Sequence, residues 1–308
     1  MKYLFGPVPS RRLGLSLGVD LVPCKVCSFD CLYCELGRTT SHTSERREYV
    51  PTMEVLDELR HYFREVGESS CDYVTLSGSG EPTLHSNLAD IVLGIKDITS
   101  RPLALLTNSS LMDDPAVRRA VQQVDVILPS LDAATPEVFK CLNRPVDQVH
   151  INSILTGLSA LRQDFKGEIW LEILFCRGIN DSESELEALT KALRNLQPDK
   201  IQLNTVVRPG AYQEAQSVSL EFLRQVQERW GKRAEIIASF SSNQLSHGQQ
   251  DSRQQIVNTL KRRPCTVQDL AAACAMAPAE VVKFLDLLKN EGTVRANVHE
   301  GITFYLAG

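Results

Sequence analysis

From residue 16 to residue 240 the chain alternates short apolar runs with segments of helical periodicity. The apolar runs at residues 16–22, 72–77, 103–107, 124–129, 168–175, 200–206 and 235–240 predict strands. Several are apolar almost throughout, as in Val124-Asp125-Val126-Ile127-Leu128, which is the pattern of strands buried on both faces. Between the runs, Val55, Leu59, Phe63 and Val66 share one helical face. The same holds for Leu88, Ile91, Val92 and Ile95, and later for Leu186, Leu189, Leu193 and Leu196. Strand–helix alternation implies right-handed βαβ crossovers and a parallel sheet. The fold class read here is α/β, an open parallel (β/α) partial TIM barrel over residues 1–240. Its chemistry belongs at the C-terminal ends of the strands.

Residues 241–250 are polar and unpatterned, and read as a linker. Beyond them the periodicity changes. Ile256, Val257 and Leu260 predict one helix, and Thr266 with Asp269 three residues on predicts a capped start to a second. Pro278 opens a third, with Val281, Val282, Leu285 and Leu288 expected to face inward. Two short runs flanking Glu300-Gly301 predict a hairpin. Three helices and a hairpin over residues 251–308 resemble a small winged helix-turn-helix domain.

With 43% hydrophobic and 23% charged residues, the composition is that of an ordinary globular protein. No apolar run reaches membrane-spanning length, and the opening Met1-Lys2-Tyr3-Leu4-Phe5-Gly6-Pro7 lacks a secretory h-region. Nine cysteines, four of them clustered, argue against a disulfide framework and for a reducing compartment, so a cytoplasmic location without membrane partners is expected. Cys71, Cys141, Cys176, Cys265 and Cys274 are scattered and read as small core residues.

The candidate chemistry starts with Cys27, Cys31 and Cys34, in the spacing Cys-x-x-x-Cys-x-x-Cys. Three thiolates this close can hold three irons of a [4Fe–4S] cube and leave the fourth open to a ligand. A four-cysteine zinc site including Cys24 is one alternative, although structural zinc sites pair two short knuckles across a longer insert. A ferredoxin-type cluster is another, but Cys34 is followed by Glu35 where bacterial ferredoxins place proline. Cys24 and Lys25 read as incidental neighbours.

The cysteine spacing, with Tyr33 just before the last cysteine, resembles the signature of the radical S-adenosylmethionine (SAM) enzymes. That resemblance implies a [4Fe–4S] cluster held by Cys27, Cys31 and Cys34, with SAM chelated at the open iron. It further implies an electron that splits SAM into methionine and a 5′-deoxyadenosyl radical, supplied by a low-potential donor such as flavodoxin or ferredoxin. Ser77-Gly78-Ser79-Gly80-Glu81-Pro82 resembles the superfamily's Gly-Gly-Glu-Pro element, so Gly78, Gly80 and Glu81 are expected at SAM's amino group. Tyr33 is expected near the adenine. Asn108, Ser130 and Asp132, after the third and fourth predicted strands, are expected at the ribose and methionine carboxylate. Glu172, Arg144, Asn204 and Arg208 are the substrate-side candidates, the two arginines as carboxylate or phosphate ligands or as structural ion pairs. Asn180 lies at the same strand ends.

Gly6-Pro7-Val8-Pro9-Ser10-Arg11-Arg12-Leu13-Gly14 and Gln202-Leu203-Asn204-Thr205-Val206-Val207-Arg208-Pro209 narrow the resemblance to a prokaryotic radical SAM group related to tRNA wyosine-synthesis enzymes. Those enzymes carry a second cluster on widely spaced N-terminal cysteines. Only residues 1–23 precede Cys24 here, so neither that cluster nor pyruvate-dependent ring closure is expected.

Three functions follow as alternatives. The first is hydrogen abstraction from an RNA base, a peptide or a small molecule. The second is an iron–sulfur sensor acting through the winged helix, and the third is an activase that installs a radical on a protein partner. Charge discriminates against DNA. Residues 251–308 carry seven Lys/Arg against six Asp/Glu, and Lys283 and Lys289 are balanced by Glu280 and Asp286. A DNA-binding helix needs an excess of phosphate-neutralising charge. RNA or protein remains open.

Overall fold

A computed structural model describes residues 1–238, 252–274 and 276–308. The linker expected at 241–250 and the last two residues of the strand expected at 235–240 lie outside the described residues.

The strands are β1 (Leu4–Ser10), β2 (Gly14–Val19), β3 (Val26–Cys27), β4 (Ser41–His42), β5 (Tyr73–Leu76) and β6 (Leu103–Thr107). They continue with β7 (Val126–Pro129), β8 (Glu168–Phe175), β9 (Lys200–Thr205) and β10 (Ala234–Ile236). The helices among them are α1 (Thr52–Val66), α2 (Leu88–Ile98), α3 (Pro115–Ala120), α4 (Pro136–Leu142), α5 (Ile151–Asp164), α6 (Glu183–Leu196) and α7 (Leu220–Trp230). Eight strands form one sheet in the order β1-β2-β5-β6-β7-β8-β9-β10. From β2 onward every neighbouring pair is parallel, and helices fill the crossovers. Sequential parallel strands with helical crossovers are the expected α/β architecture, and they align the C-terminal strand ends along one rim.

The expected helix faces pack as the periodicity requires. Val55, Leu59 and Phe63 of α1, Leu88, Ile91, Val92 and Ile95 of α2, and Leu186, Leu189, Leu193 and Leu196 of α6 are buried in one core with the sheet. Val66, the last residue of α1, is exposed. Helix starts are locally encoded. Ser182 and Ser219 accept from the Glu185 and Phe222 amides, and Pro115 and Pro136 occupy first-turn positions where a missing N–H costs nothing.

The sequence reading did not give β1. It pairs antiparallel with β2 and carries Pro7 and Pro9, which argue against a strand by propensity. A prolyl strand is tolerated at a sheet edge, and the register slips between Phe5 and Val8 as in a bulge.

Residues 252–308 build α8 (Ser252–Leu260), α9 (Val267–Ala273), α10 (Pro278–Asn290), β11 (Val294–His299) and β12 (Ile302–Ala307), with β11 and β12 antiparallel. The predicted capping box is present, since Thr266 accepts from the Asp269 amide and Asp269 from the Thr266 amide. Ile256, Leu260, Leu270, Val281, Leu285 and Leu288 form a second core, distinct from that of the sheet. Two expectations fail. Val282 is exposed because it lies one residue off the Val281–Leu285–Leu288 stripe. Cys141 is exposed near the end of α4, whereas Cys71, Cys176, Cys265 and Cys274 are buried as expected. Among the described residues no helix is long and apolar enough to cross a membrane.

Candidate functional site

The three-cysteine segment follows β2 on the rim of C-terminal strand ends, and backbone hydrogen bonds hold it from several sides. The Leu32 amide donates to the Leu142 carbonyl at 2.9 Å, Val146 N to Ser28 O at 3.0 Å, and Tyr212 N to Leu32 O at 3.1 Å. From below, the turn at residues 77–82 meets it directly. Lys25 N donates to Ser79 O at 2.7 Å, and Glu81 N to Val26 O at 3.2 Å. The glycines permit this approach. A Cβ on Gly80 would lie 1.9 Å from the Val26 carbonyl oxygen, while Gly78 has φ +138° with the Asp20 carboxylate 2.6 Å from where its Cβ would stand.

Each of the three cysteines receives a side-chain N–H from a different part of the chain. Asn108 Nδ2 lies 3.4 Å from Cys27 Sγ, Asn143 Nδ2 3.7 Å from Cys31 Sγ, and Lys25 Nζ 3.0 Å from Cys34 Sγ. Lys25 is buried and adopts a left-handed backbone, φ +63°. Burial alone would lower its pKa, yet attraction to Cys34, then to Cys27 and Cys31, raises it. Burial, with Glu81 adding to it, pushes the Cys27 thiol up to about 12. Burial and the neighbouring sulfurs raise the Cys31 thiol well above its ordinary range. Three half-buried sulfurs whose thiolate forms repel one another would be stabilised by cationic iron among them. Among the described residues no three His, Cys, Asp or Glu side chains converge as ligands of a single metal ion. A cluster instead takes one thiolate per iron. The donor set therefore fits a [4Fe–4S] cluster with one iron lacking a protein ligand.

The other expected site residues fall into three places. Glu81 lies beneath the cysteine segment, fully enclosed. Its Oε1 accepts from Thr83 N (3.0 Å), Thr83 Oγ1 (2.6 Å) and Thr107 Oγ1 (2.7 Å), and its Oε2 from Asn108 N (2.7 Å). Burial raises its pKa against these bonds. The carboxylate thus organises the turn and the Asn108 loop, and only Oε2 keeps acceptor capacity for an ammonium group. Tyr33, Asn108, Ser130 and Asp132 come together in one recess. Asp132 accepts from the Tyr33 hydroxyl, from Asn143 Nδ2 at 2.9 Å and from Leu174 N at 2.9 Å, while burial pushes its pKa up to about 6.

Glu172, Asn204 and Arg208 line a larger cavity with Tyr33, Cys34 and Gly78. Glu172 pairs with Arg12 and accepts from Asn204 Nδ2 at 2.8 Å. Burial opposes its charge, but Arg12, Asn204 and Arg11 hold its pKa below the usual range. Arg208 is an ion-paired residue, 3.3 Å from Glu35 and 3.7 Å from Asp269. Arg144 lies apart from that cavity, its guanidinium 4.0 Å over the Tyr212 ring. Asn180 ties strand ends together, donating to the Asp132 and Leu174 carbonyls, each at 2.8 Å.

A profile of the radical SAM superfamily matches residues 21–190, which span the cysteine segment and the strands and helices from β5 to β8. The chain belongs to the radical SAM superfamily. It is 30% identical over 313 residues to the UPF0026 protein MJ1312 of Methanocaldococcus jannaschii, covering 99% of this chain and 96% of that one. It is also 33% identical over 307 residues to a protein named GTPase Obg from Brachyspira hyodysenteriae, covering 99% of this chain but 45% of that relative. The chain therefore spans under half the length of that relative. Among solved structures, Streptococcus suis SuiB bound to S-adenosylmethionine superposes with TM-score 0.54 at 12% identity, over 72% of this chain and 50% of SuiB. That likeness shows a shared α/β fold.

Sequence reasoning missed three residues that contact the expected site residues. Lys25 is the charged donor to Cys34 rather than an incidental neighbour, whereas Cys24 is exposed. Asn143 carries no local signal, because a fold contact between α4 and the cysteine segment places it. Arg12 partners Glu172 from the edge hairpin. Hydrogen bonds and charge near cluster sulfurs tune reduction potential. Lys25→Met is thus expected to shift the midpoint potential of the reconstituted cluster negative by tens of millivolts, read by potentiometric EPR. An unchanged potential would separate Lys25 from the cluster.

Proposed function

We propose that the protein is a radical SAM enzyme that cleaves S-adenosylmethionine reductively and abstracts hydrogen from a substrate held at the barrel mouth. The carrying observation is the convergence of three separate side-chain donors on Cys27, Cys31 and Cys34, above a turn with no room for a Cβ at Gly80. When bound, the cluster supplies the electron that splits SAM, drawn from a low-potential flavodoxin or ferredoxin. This chain's residues do the rest. Lys25, Asn108 and Asn143 orient the thiolates, and the turn at 77–82 offers backbone beside the open side of the cysteine segment. Tyr33, Asn108, Ser130 and Asp132 line a recess of only about 10 Å³, so they would meet the ribose and the methionine carboxylate at its rim rather than enclose them. Glu172 and Asn204 face the adjoining cavity, which is half open to solvent, so a bound substrate would have to cover it to shield a radical.

The finer assignments belong to the same proposal: a cytoplasmic enzyme grouped with wyosine-synthesis relatives, acting on an RNA base, a peptide or a small molecule. Residues 1–240 form the catalytic barrel and 251–308 a winged-helix-like domain that presents substrate to it. The separate core of residues 252–308 and its near-neutral α10 support that role better than DNA binding. A chain ending at residue 240 is expected to load its cluster and form 5′-deoxyadenosine without substrate. It should bind or convert the natural substrate poorly. Loss of SAM cleavage despite a full cluster would contradict this division of labour, and so would sequence-specific duplex binding by the full chain at physiological salt.

A further inference from the structure

The larger cavity, about 350 Å³, has a wall crowded with guanidinium groups. Arg11 and Arg12 come from the β1–β2 turn, Arg208 follows β9, and Arg262 and Arg263 follow α8. Three of them have carboxylate partners among the described residues. Arg12 pairs with Glu172, Arg208 with Glu35 and Asp269, and Arg262 with Asp20 at 3.7 Å. Of these acids only Glu35 and Glu172 face the cavity. Arg11 bonds only neutral acceptors, Asn204 Oδ1 at 3.2 Å and the Ile237 carbonyl at 3.4 Å. Arg263 forms no ion pair within the described residues, and its Nη2 is buried without a hydrogen-bond partner, as is Nε of Arg208, whereas Nε of Arg262 is the atom that faces Asp20. Burial lowers the pKa of Arg11 to about 10, with repulsion from Arg208 and Arg12 adding to it against the pull of Glu35.

Buried cationic N–H groups without acceptors are costly, and planar guanidiniums satisfy such groups best by forked contacts to an oxyanion. We propose that this cavity binds the anionic end of the substrate, a phosphate or carboxylate group, with Arg11 and Arg263 as its main donors. The inference rests on the assignment of the barrel mouth to radical chemistry, and it adds a substrate class. It also gives the C-terminal segment a direct part in the site, since Arg263 reaches the cavity from beyond α8. The arginines that sequence reading singled out are not the open ones: Arg208 is already ion-paired, and Arg144 stacks on Tyr212. SAM carries a carboxylate of its own, and Tyr33, Cys34 and Gly78 line the same cavity. SAM is therefore the competing occupant.

The test is anaerobic titration calorimetry on the full-length, cluster-loaded protein, with inorganic pyrophosphate and with succinate, each in the absence and presence of saturating SAM. At least one probe is expected to bind at one site per chain in both conditions. Tighter pyrophosphate binding would assign a phosphate, and tighter succinate binding a carboxylate. Arg11→Gln and Arg263→Gln should each weaken the favoured probe at least tenfold, Arg263→Lys should weaken it less, and Arg119→Gln on the outer face of α3 should change nothing. Should a glutamine variant melt below the wild type, the lysine variant carries the comparison. Failure of both probes to bind at millimolar concentration, or unchanged binding in the variants, overturns the proposal. Displacement of the probe by SAM would give the anion site to the cofactor and overturn it equally. Parallel measurement of 5′-deoxyadenosine keeps the two readings apart, because probe binding without any nucleoside product would overturn the radical assignment alone.

Discussion

Alanine at Cys27, Cys31 or Cys34 is expected to remove essentially all cluster iron, whereas Cys24→Ala should retain it. The three cysteines lie on one segment clamped by residues 142–146 and Tyr212, and each is met by its own N–H donor. Cys24 is exposed, and burial, not a cationic partner, is the main influence on its thiol. Removal of one thiolate would leave an iron without a protein ligand, at a site where iron would offset the charge of half-buried sulfurs. Iron and sulfide quantitation with EPR of the reduced protein reads the outcome. Cluster loss in Cys24→Ala with retention in Cys27→Ala would reverse the ligand assignment.

Gly80→Ala should be nearly as damaging, and more so than a simple loss of ligand space. The added Cβ would stand 1.9 Å from a backbone carbonyl of the cysteine segment, so the turn or the segment must move. Both SAM binding and cluster loading are expected to fall together. Glu81→Ala acts through the same frame. It strands the buried amides of Thr83 and Asn108 and the hydroxyls of Thr83 and Thr107. Each buried group left without an acceptor costs about 1–3 kcal/mol. The loss of stability should be roughly 3 kcal/mol or more, a fall in melting temperature of roughly 6 °C or more for a chain of this size. Glu81→Gln, which keeps one acceptor oxygen, should lie between. Thermal unfolding followed by circular dichroism checks the stability change, and calorimetry with SAM on the reconstituted variants checks the site. Wild-type SAM affinity in Gly80→Ala would remove the turn from the site.

The parts of this account that were legible in the sequence are those encoded locally. Cys27, Cys31 and Cys34 lie within eight residues, so their spacing carries chemistry without any knowledge of the fold. The runs of β6 and β8 match their observed bounds residue for residue, because each is a short, mostly apolar and mostly buried stretch. The Thr266–Asp269 capping box is likewise a four-residue statement. Long-range assembly was not legible. β1 hides behind Pro7 and Pro9, which only an edge position tolerates. Asn143 reaches Cys31 across 112 residues, and Arg11 and Arg263 share a cavity wall although some 250 residues separate them. Lys25 was in view but unreadable, since its left-handed backbone and its contact with Cys34 leave no local mark in the sequence. Arg208 looked like a ligand for substrate because its partners, Glu35 and Asp269, are distant in sequence.

The central claim is tested most directly by one anaerobic assay of the full-length protein after cluster reconstitution, mixed with SAM and dithionite and analysed for nucleoside products by chromatography and mass spectrometry. The account predicts 5′-deoxyadenosine and methionine in equal amounts, formed only with the cluster loaded and absent from Cys31→Ala. A loaded, reduced cluster that binds SAM yet releases no 5′-deoxyadenosine would contradict it.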